Sequence, residues 1–338
     1  MNIWRKILEN ALYAPSPHNV QPWRVKILDD FRAELFIDST RTLPKEDVTG
    51  SFIISTMGIF IEAIDILARR QNLKVEYELL HEPDFYAPAI LKLSAPCLIE
   101  FAKLTLKPID ENDFCDNRYD EKLFLSRKTS RLHLKKEFVP DDAFRDLSEI
   151  AAKFNQNYTQ IIDSKVIERI LAQNTNALFE DLNSRGYHDE IVEWFRYSKR
   201  ESETKRDGLD YRAMNTPRLM LWMTARMSWM MKTPVLKAIL ARTYRAQTGE
   251  VPTLGVISGA FWKPQDAINA GRFLMRFWLE TARHNVYMHP FGNLVTNQKA
   301  IEFVTQETKI PDIWLVFKIG FSDEPPQSYR LPLEKVLV

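Results

Sequence analysis

Cysteine and glycine are both scarce in this chain, and each shortage excludes classes of protein. Its 338 residues include two cysteines, Cys97 and Cys115, which form no Cys-x-x-Cys pair. Two isolated cysteines exclude a disulfide framework and a thiolate zinc site, and they are typical of a reducing compartment. The ten glycines form neither Gly-x-Gly-x-x-Gly nor Gly-x-x-x-x-Gly-Lys-Ser/Thr, which argues against a Rossmann domain and a P-loop.

An excess of charge of either sign is also missing. Lys and Arg number 46 against 45 Asp and Glu, a formal charge of +1, so the charge balance gives no reason to expect nucleic acid as a partner. His188 and the two acidic residues after it lack the His-Glu-x-x-His spacing of a zinc site, and we expect no metal. The first residues enter a helical pattern without the apolar core of a signal peptide, and we expect a cytoplasmic protein.

Long uncharged apolar runs are absent as well. The segment 219–240 comes nearest, but Arg226 and Lys232 interrupt it, and it falls short of the roughly 18 residues that a membrane span needs. We therefore expect no membrane partner. Its Met and Trp residues make adaptable apolar surface. A buried core helix is the default interpretation, and a helix that covers a flat ligand is the alternative.

The residues that are present indicate a globular protein with both helices and strands. Hydrophobic residues make up 45% and aromatic residues 12%, and the length allows one large or two ordinary domains. A polar linker is expected at 103–120, and a solvated loop or exposed helix face at 199–212. Hydrophobic spacing predicts helices over 3–13, 51–70, 140–153, 165–183 and 188–198, and strands over 23–37 (a hairpin), 74–80 and 90–101.

A short internal repeat links two of these segments. Gly58-Ile-Phe60, followed by Arg-Gln-Asn72-Leu, matches Gly271-Arg-Phe273, followed by Arg-His-Asn285-Val, at one constant offset. In each copy a long helix is expected to run into a strand. Two amphipathic helices can share this few identities by chance. Alternatively, the repeat records duplication and fusion of one ancestral domain.

The segment 15–23, Pro-Ser-Pro-His-Asn-Val-Gln-Pro-Trp, is the densest motif of the chain. Its three prolines each fix φ and remove an N–H, so we expect an irregular, preset backbone. On that frame Ser16, His18, Asn19 and Gln21 could grip a polar planar ligand. They could equally satisfy the backbone of a turn between a helix and a strand. The residues alone leave both open and favour the turn.

Residues 14–24 resemble the Ala-Pro-Ser-x-His-Asn-x-Gln-Pro-Trp-Arg signature of the nitroreductase family, in the form found in its long, single-chain, Acg-like branch. Two further motifs are similar to parts of the same family. Arg127-x-Thr129-x-Arg131 resembles an Arg-x-Ser-x-Arg/Lys motif, with Thr in place of Ser. Residues 320–332 resemble the Gly-aromatic strand end and the C-terminal basic-x-Arg-x-Pro segment, where Arg330 matches and Ser328 replaces a basic residue.

This resemblance implies a nitroreductase-like α+β fold with flavin mononucleotide (FMN) as cofactor. The family is built from homodimers that hold FMN between two chains, and here the motifs are divided within one chain. We expect a first half at 1–120, which supplies the proline-rich segment, and a second half at 121–338, which supplies Arg-x-Thr-x-Arg and the C-terminal Arg. The two fused halves would form a pseudo-dimer with antiparallel or mixed sheets flanked by helices. One FMN per monomeric chain follows, and a homodimer is the alternative.

The resemblance also implies roles for single residues. Arg127, Thr129 and Arg330 would hold the flavin phosphate, and Arg131 would stabilise negative charge on the reduced ring. Without the resemblance, Arg127 and Arg131 lie one helical turn apart and pair with acids such as Asp120, Glu121 or Glu137. A backbone N–H at Gly292 or Asn293 would meet flavin N5, or the segment 287–293 is a plain connection. The predicted cofactor-binding residues are Pro15, Ser16, His18, Asn19, Gln21, Arg127, Thr129, Arg131, Pro290, Gly292, Asn293, Ser328 and Arg330.

Three functions remain open at this point. The first is an FMN-dependent oxidoreductase, in which NAD(P)H is the reductant and a small nitroaromatic or quinone-like molecule is the acceptor. The second is storage or sequestration of FMN with little reductase activity, because the long branch is associated with a lid over the flavin and residues 183–250 are a candidate for one. The third is a pseudoenzyme that keeps the fold for interaction and binds nothing.

Overall fold

The structure is a computed structural model that describes residues 3–92, 95–110, 118–226 and 233–338. Cys115, part of the expected linker and the middle of the 219–240 segment lie outside these ranges. The chain forms two compact units, neither of them continuous in sequence. Unit 1 comprises Met1–Arg127, Phe261–Leu279 and Tyr329–Val338, and unit 2 comprises Lys128–Ala260 and Glu280–Ser328.

The elements are numbered in chain order. The helices are α1 (Ile3–Ala11), α2 (Ser51–Arg69), α3 (Pro83–Leu91), α4 (Glu121–Ser126), α5 (Asp141–Lys153), α6 (Ser164–Asn183), α7 (Arg185–Glu193), α8 (Lys199–Lys205), α9 (Arg218–Arg226), α10 (Pro234–Thr248), α11 (Pro264–Arg283), α12 (Asn293–Thr296), α13 (Gln298–Thr308) and α14 (Leu333–Val336). The strands are β1 (Trp23–Ile27), β2 (Arg32–Asp38), β3 (Leu73–Leu79), β4 (Leu98–Pro108), β5 (Gln156–Ile161), β6 (Phe195–Arg196), β7 (Leu209–Asp210), β8 (Leu254–Gly259), β9 (Tyr287–Pro290) and β10 (Ile313–Gly320). Short 3₁₀ helices lie at Pro17–Asn19 and Ser39–Arg41.

Unit 1 is built on an antiparallel sheet of order β1-β2-β4-β3. The β1–β2 hairpin closes where the Asp29 carboxylate accepts the backbone N–H groups of Phe31 and Arg32, as an Asx turn does. Helix α2 is mostly apolar and nearly all buried. Among the described residues it is the one helix long and apolar enough to cross a membrane, but 94% of its most apolar window is buried inside the protein. It is therefore the core helix of this unit.

Unit 2 is built on an antiparallel sheet of order β5-β8-β10-β9. All eight residues of the inner strand β10 are buried. Trp314 donates from its indole N–H to the Gln156 side chain at 2.8 Å, which satisfies a polar group inside this core. Helices α6 to α10 lie in the long connection between β5 and β8, together with the short parallel pair β6–β7.

Both sheets share one topology. In each, the first, second, fourth and third strands of the set are neighbours in that order. A helix precedes the first strand, α1 in one case and α5 in the other, and a long helix joins the second strand to the third, α2 and α11 respectively. The two sets differ mainly in the long β5–β8 connection. The α+β class with antiparallel sheets and flanking helices, which the sequence predicts, is confirmed.

The repeated glycines meet inside unit 1, where α2 packs against the first part of α11. A Cβ on Gly58 would lie 2.1 Å from the carbonyl oxygen of Ile268, and a Cβ on Gly271 would lie 1.9 Å from that of Ser55. The pairs 55/268 and 58/271 have the offset of the sequence repeat, so the contact is reciprocal, as in an isologous interface. Both helices also end alike, with Asn72 and Asn285 at φ 57° and 55°. This symmetry favours duplication over chance similarity as the origin of the repeat.

A buried charge network joins the same two helices. The fully buried carboxylate of Glu62 accepts from Arg272 at 2.7 Å and also from Arg276. Burial alone would raise the pKa of Glu62, but the two guanidinium groups hold that pKa below its usual range. The charge is therefore fully compensated, as a buried charge must be.

Several sequence predictions need correction. Residues 90–91 belong to α3, and the strand extends to Pro108 because β4 pairs with both β2 and β3; the expected linker at 103–120 is therefore wrong for 103–108. The helix expected at 188–198 is α7 and ends at Glu193. The core interpretation of 219–240 is wrong for its described part, because only Leu221 and Ala225 of α9 and no residue of α10 are buried.

Candidate functional site

The proline-rich segment of unit 1 has an irregular backbone, as the sequence predicts. His18, Asn19 and Gln21 have φ values of 46°, 56° and 53°, in a region that residues other than glycine rarely adopt. Each such conformation costs about 1–3 kcal/mol and persists only where the surroundings hold it. Three of them within four residues mark this segment as a candidate functional site.

Side-chain hydrogen bonds within unit 1 hold this backbone in place. The Ser16 hydroxyl accepts from the Gln21 N–H at 3.0 Å, and Gln21 Oε1 accepts from the Leu331 N–H at 2.8 Å. Asn19 Nδ2 donates to the Tyr329 carbonyl at 3.0 Å, and Asn19 Oδ1 accepts from Arg330 Nη1 at 3.0 Å. These side chains therefore satisfy backbone groups, as the turn interpretation holds, and they also fix the position of Arg330.

Arg127 lies in the same unit, directly after α4. Its side chain is 2% exposed, its Nη2 donates to the Tyr13 carbonyl at 2.9 Å, and its guanidinium carbon lies 4.9 Å from the Trp278 ring centre. The Nε and Nη1 groups are buried and have no hydrogen-bond partner among the described residues. Arg330 Nη2 approaches the same Tyr13 carbonyl at 3.4 Å, so one carbonyl oxygen joins the two arginines.

Both guanidinium groups carry a positive charge, and in the described chain no acidic residue neutralises that of Arg127. Burial lowers the pKa of Arg127 to about 9, with the charge of Arg330 as the second cause. Burial likewise lowers the pKa of Arg330 to about 10. Buried charges are normally paired, and an uncompensated one is costly. The two buried N–H donors of Arg127 that have no partner in the described chain suit a phosphate group, which accepts several charge-assisted hydrogen bonds.

The alternative that Arg127 and Arg131 lie on a helix and pair with acids is wrong for the residues that the structure describes. Helix α4 ends at Ser126, and Asp120 is its N-cap, accepting from the Leu123 N–H at 2.9 Å. The chain beyond is extended, and Thr129 forms a parallel bridge with Met288. In the described chain no Asp or Glu forms an ion pair with either arginine.

His18 forms a side-chain pair with Glu46. Its Nε2 contacts the Glu46 carboxylate, and both side chains are largely buried. The other ring nitrogen, Nδ1, is buried without a hydrogen-bond partner in the described chain. Glu46 has no motif around it, so sequence reasoning missed this residue. Pro15, at the start of the segment, is buried.

Unit 2 holds the other predicted residues. Thr129 and Arg131 are in this unit, whereas Arg127 and Arg330 are in unit 1. Arg131 Nη1 donates to the Ala213 carbonyl at 3.2 Å, and Asn215 Nδ2 donates to the Arg131 carbonyl at 3.3 Å. Burial lowers the pKa of Arg131 to about 10, opposed by Tyr244.

Two further basic residues beside Arg131 escaped the sequence analysis. Lys318, on β10, is 1% exposed and donates from Nζ to the carbonyls of Leu132 at 2.6 Å and Thr248 at 3.4 Å. Burial and then Arg131 lower its pKa to about 8. Burial, Arg131 and Lys318 hold the pKa of His289 well below its usual value. The available signal was a lone Lys inside the apolar run 313–320.

The segment 287–293 joins β9 to α12. Pro290 pairs with Phe317 at the end of β9, and the Asn293 side chain donates to Asp181 Oδ2 at 2.8 Å and to the Tyr187 hydroxyl at 3.1 Å. That amide therefore serves the fold. In the described chain the backbone N–H groups of Gly292 and Asn293 have no acceptor, as expected at the start of a helical turn. Ser328, half-buried, is the last residue of unit 2.

Neither a protein-family model nor a curated protein sequence matches this chain. Among solved structures, it is similar to the FMN-dependent nitroreductase NfnB from Mycobacterium smegmatis in complex with NADPH, with 14% identity, a TM-score of 0.40, and coverage of 64% of this chain and 95% of that chain. It is also similar to a nitroreductase with bound FMN from Bacteroides fragilis, with 11% identity, a TM-score of 0.35, and coverage of 62% and 92%. A nitroreductase-like family protein from Bacillus cereus matches at 13% identity, a TM-score of 0.34, and coverage of 63% and 91%. These descriptions name the family that residues 14–24 resemble.

Proposed function

We propose that this protein binds FMN and acts as a flavin oxidoreductase of the nitroreductase type. The observation that carries the proposal is the buried pair Arg127 and Arg330, which lies beside the strained segment that resembles the family signature. Arg127 presents two buried N–H groups without a partner in the described chain. An anion that accepts several hydrogen bonds would compensate its charge, and the phosphate of FMN is such an anion.

In this proposal the residues of unit 1 bind the phosphate of FMN and hold the phosphate-binding arginines in position. Arg127 and Arg330 hold the phosphate through their guanidinium N–H groups. Asn19 fixes Arg330 through its Oδ1 atom, and Gln21 fixes the backbone that follows at Leu331. Ser16 stabilises the left-handed conformation at Gln21. Thr129 stays a prediction as a phosphate ligand.

The family resemblance implies a further role for Arg131. Bound FMN supplies the hydride chemistry that NAD(P)H and a nitroaromatic or quinone-like acceptor require. Arg131 is proposed to stabilise the negative charge of the reduced ring, and Lys318 adds a second buried charge next to Arg131. No Asp or Glu of the described chain forms an ion pair with Arg131 or Lys318, so no carboxylate neutralises either charge.

We further propose that the chain is a fused duplication that acts as a monomer in the cytoplasm and binds one FMN. The shared strand order and the reciprocal contact of Gly58 and Gly271 support the duplication. The segment 15–23 and the motif 127–131 each occur once in the chain, which supports one FMN per chain.

One observation favours FMN storage as a second candidate. The 183–250 segment contributes Ala213, Asn215 and Tyr244 to the surroundings of Arg131. A segment that contacts Arg131 in this way would slow the exchange of ligands at that residue. Storage would therefore combine FMN binding with slow or absent reduction.

The visible spectrum of the purified protein, followed by anaerobic addition of NADPH, tests the proposal. Flavin bands that bleach rapidly support the reductase, and bands that persist support storage. A folded protein without flavin bands that takes up no added FMN contradicts both. Arg145→Gln, which removes one positive charge at an exposed arginine, is the control for variants that remove the charge of Arg127 or Arg131.

A further inference from the structure

Charge is segregated along the chain although its total is nearly zero. Residues 216–248 contain six Lys and Arg and no Asp or Glu. The rest of the sequence therefore holds 40 Lys and Arg against 45 Asp and Glu, so a basic stretch is set in an acidic chain. A basic amphipathic stretch of this kind is typical of a membrane-surface or partner-binding helix.

Helix α9 exposes one face of mixed apolar and basic character. Arg218, Leu219, Trp222 and Arg226 follow helical spacing and are all exposed. Leu219 is 66% and Trp222 46% exposed. Large apolar side chains are seldom grouped on the surface of a monomeric domain unless they bind something.

Helix α10 repeats the pattern. Val235, Ile239, Arg242 and Ala246 share one face and are exposed, with Val235 at 69% and Ile239 at 56%. None of the 15 residues of this helix is buried. We call these two faces together the α9–α10 surface: Arg218, Leu219, Trp222, Arg226, Val235, Ile239, Arg242 and Ala246.

The opposite faces of both helices attach them to unit 2. Leu221 and Ala225 of α9 belong to a buried apolar cluster against which Leu240 and Ala241 of α10 also pack. Tyr244 of α10 accepts a hydrogen bond from Asn174 Nδ2 at 3.1 Å. The helices are therefore docked on one side, and the other side is left to solvent.

The arginines of the α9–α10 surface lack acidic partners. Across the part of the chain that the structure describes, Arg218, Arg226 and Arg242 form no ion pair. By contrast, Lys199 and Lys205 on the neighbouring basic helix α8 pair with Glu203 and Glu201. Two lysines of α8 are thus compensated by acidic residues, whereas the three arginines of the α9–α10 surface are not.

We infer that the α9–α10 surface binds an anionic lipid bilayer, with the four large apolar side chains inserted at the interface and the three arginines among the headgroups. Interfacial helices combine an apolar face that carries Trp or Leu with Lys and Arg around it. Trp prefers the interface because its ring is apolar and its N–H is polar. The charge complements the acidic lipids of a cytoplasmic leaflet. This departs from the expectation of no membrane partner, which rested on the lack of a spanning helix.

A bilayer suits this surface better than an acidic protein partner does. The exposed apolar residues stand on the outer sides of two helices, where a fluid interface can enclose each of them. An anionic bilayer also meets all three arginines at once, whereas a protein partner would need carboxylates at matching positions. The inference does not depend on flavin binding.

Co-sedimentation with vesicles tests it. The intact protein is mixed with vesicles of phosphatidylcholine alone or of phosphatidylcholine with phosphatidylglycerol. We expect binding to the second kind only, weakened by added salt because screening shortens electrostatic range. The triple variant Arg218→Gln, Arg226→Gln and Arg242→Gln should bind roughly a hundredfold more weakly, since each basic residue near the surface contributes roughly fivefold.

Matched variants at other sites show whether vesicle binding depends on the α9–α10 surface or on the total charge and apolar surface of the protein. Lys199→Gln, Arg200→Gln and Lys205→Gln remove the same charge from α8 and should leave binding unchanged. Val235→Ser with Ile239→Ser should weaken binding by roughly tenfold through the lost apolar burial. Leu28→Ser with Phe31→Ser, at an exposed turn of unit 1, should not weaken it.

Three results would overturn the inference. One is a folded protein that does not sediment with anionic vesicles at low salt. Another is equal loss of binding in the α8 variant and in the α9–α10 variant. The third is concentration-dependent self-association, measured by light scattering, that the Val235→Ser, Ile239→Ser variant abolishes while no vesicle binding occurs. That last outcome would assign the surface to a second copy of the chain.

Discussion

The two basic clusters of this protein are built differently, although both bury positive charge. In unit 1, Arg127 and Arg330 are held by a strained loop, a helix end and the C-terminal residues, all through backbone carbonyls and Asn19. In unit 2, Lys318 lies on a fully buried strand and the half-buried Arg131 donates to the Ala213 carbonyl. The first arrangement leaves two buried N–H groups of Arg127 without a partner in the described chain, as a phosphate site needs. The second brings the positive charges of Arg131 and Lys318 together without two arginines that could share one phosphate. Such a cluster suits stabilisation of a negative charge that develops during reaction.

The largest expected effect is a difference in the free energy of unfolding between variants of two buried arginines, Arg24, which has an acidic partner, and Arg127, which has none in the described chain. Arg24 is paired with Asp38 at 2.7 Å and is as buried as Arg330. Arg24→Met should lower the free energy of unfolding by about 1.5–3 kcal/mol, because the Asp38 carboxylate loses its nearest charged donor and keeps only the more distant Arg41 at 3.8 Å as an ion-pair partner. Arg127→Met, in the absence of ligand, should leave that free energy unchanged or raise it. Urea unfolding of both variants measures the difference, and equal destabilisation would mean that Arg127 is already compensated.

The free energy of unfolding should depend on pH through Lys318 of the unit 2 cluster. The pKa of Lys318 is about 8 in the folded protein and ordinarily about 10.4 when the chain is unfolded. Between these values the unfolded state binds more protons, so stability rises with pH there, by up to about 3 kcal/mol. Lys318→Met removes this dependence and should be the more stable protein below pH 8. Unfolding curves at several pH values check this, and parallel profiles for the two proteins would refute it.

The reciprocal helix contact predicts matched effects in the two halves of the repeat. Gly58→Ala and Gly271→Ala each place a Cβ against a carbonyl oxygen of the partner helix. Each should destabilise by about 1–3 kcal/mol, as overpacking does. Gly320→Ala, where the added Cβ meets only the flexible Leu134 side chain at 3.2 Å, is the control. A large effect at only one of the two repeated glycines would argue against a symmetric contact.

The smallest expected effect concerns the rate of reduction. Arg131→Gln keeps a hydrogen-bond donor but removes the charge, so FMN should still bind while its reduction by NADPH slows by about tenfold, as for one lost electrostatic contact of roughly 1.4 kcal/mol. The reduction potential should fall in parallel. Stopped-flow bleaching and a dye-coupled potential measurement follow both quantities. Unchanged rate and potential would remove Arg131 from the flavin.

Much of the local structure follows from residue pattern. Three prolines predict the irregular segment, and hydrophobic spacing predicts α2 and the β1–β2 hairpin. The rest depends on tertiary pairing. Arg127 and Arg131 are not helical because Thr129 bridges to Met288. Lys318 lies in an apolar strand, and the sequence pattern of that strand does not indicate which carbonyl groups Lys318 contacts. Composition could not assign α9 and α10 to the surface, because Met and Trp suit a core and an interface equally.

Direct titration of FMN into the wild-type protein and Arg127→Met, followed by quenching of flavin fluorescence, tests the central claim. Wild-type protein should bind one FMN per chain, and the variant should bind roughly a hundredfold more weakly, because a buried charge contact to the phosphate is lost. The unfolding free energy without ligand should stay at or above the wild-type value. Equal FMN affinity in the two proteins, or a folded wild-type protein that binds none, would contradict the account.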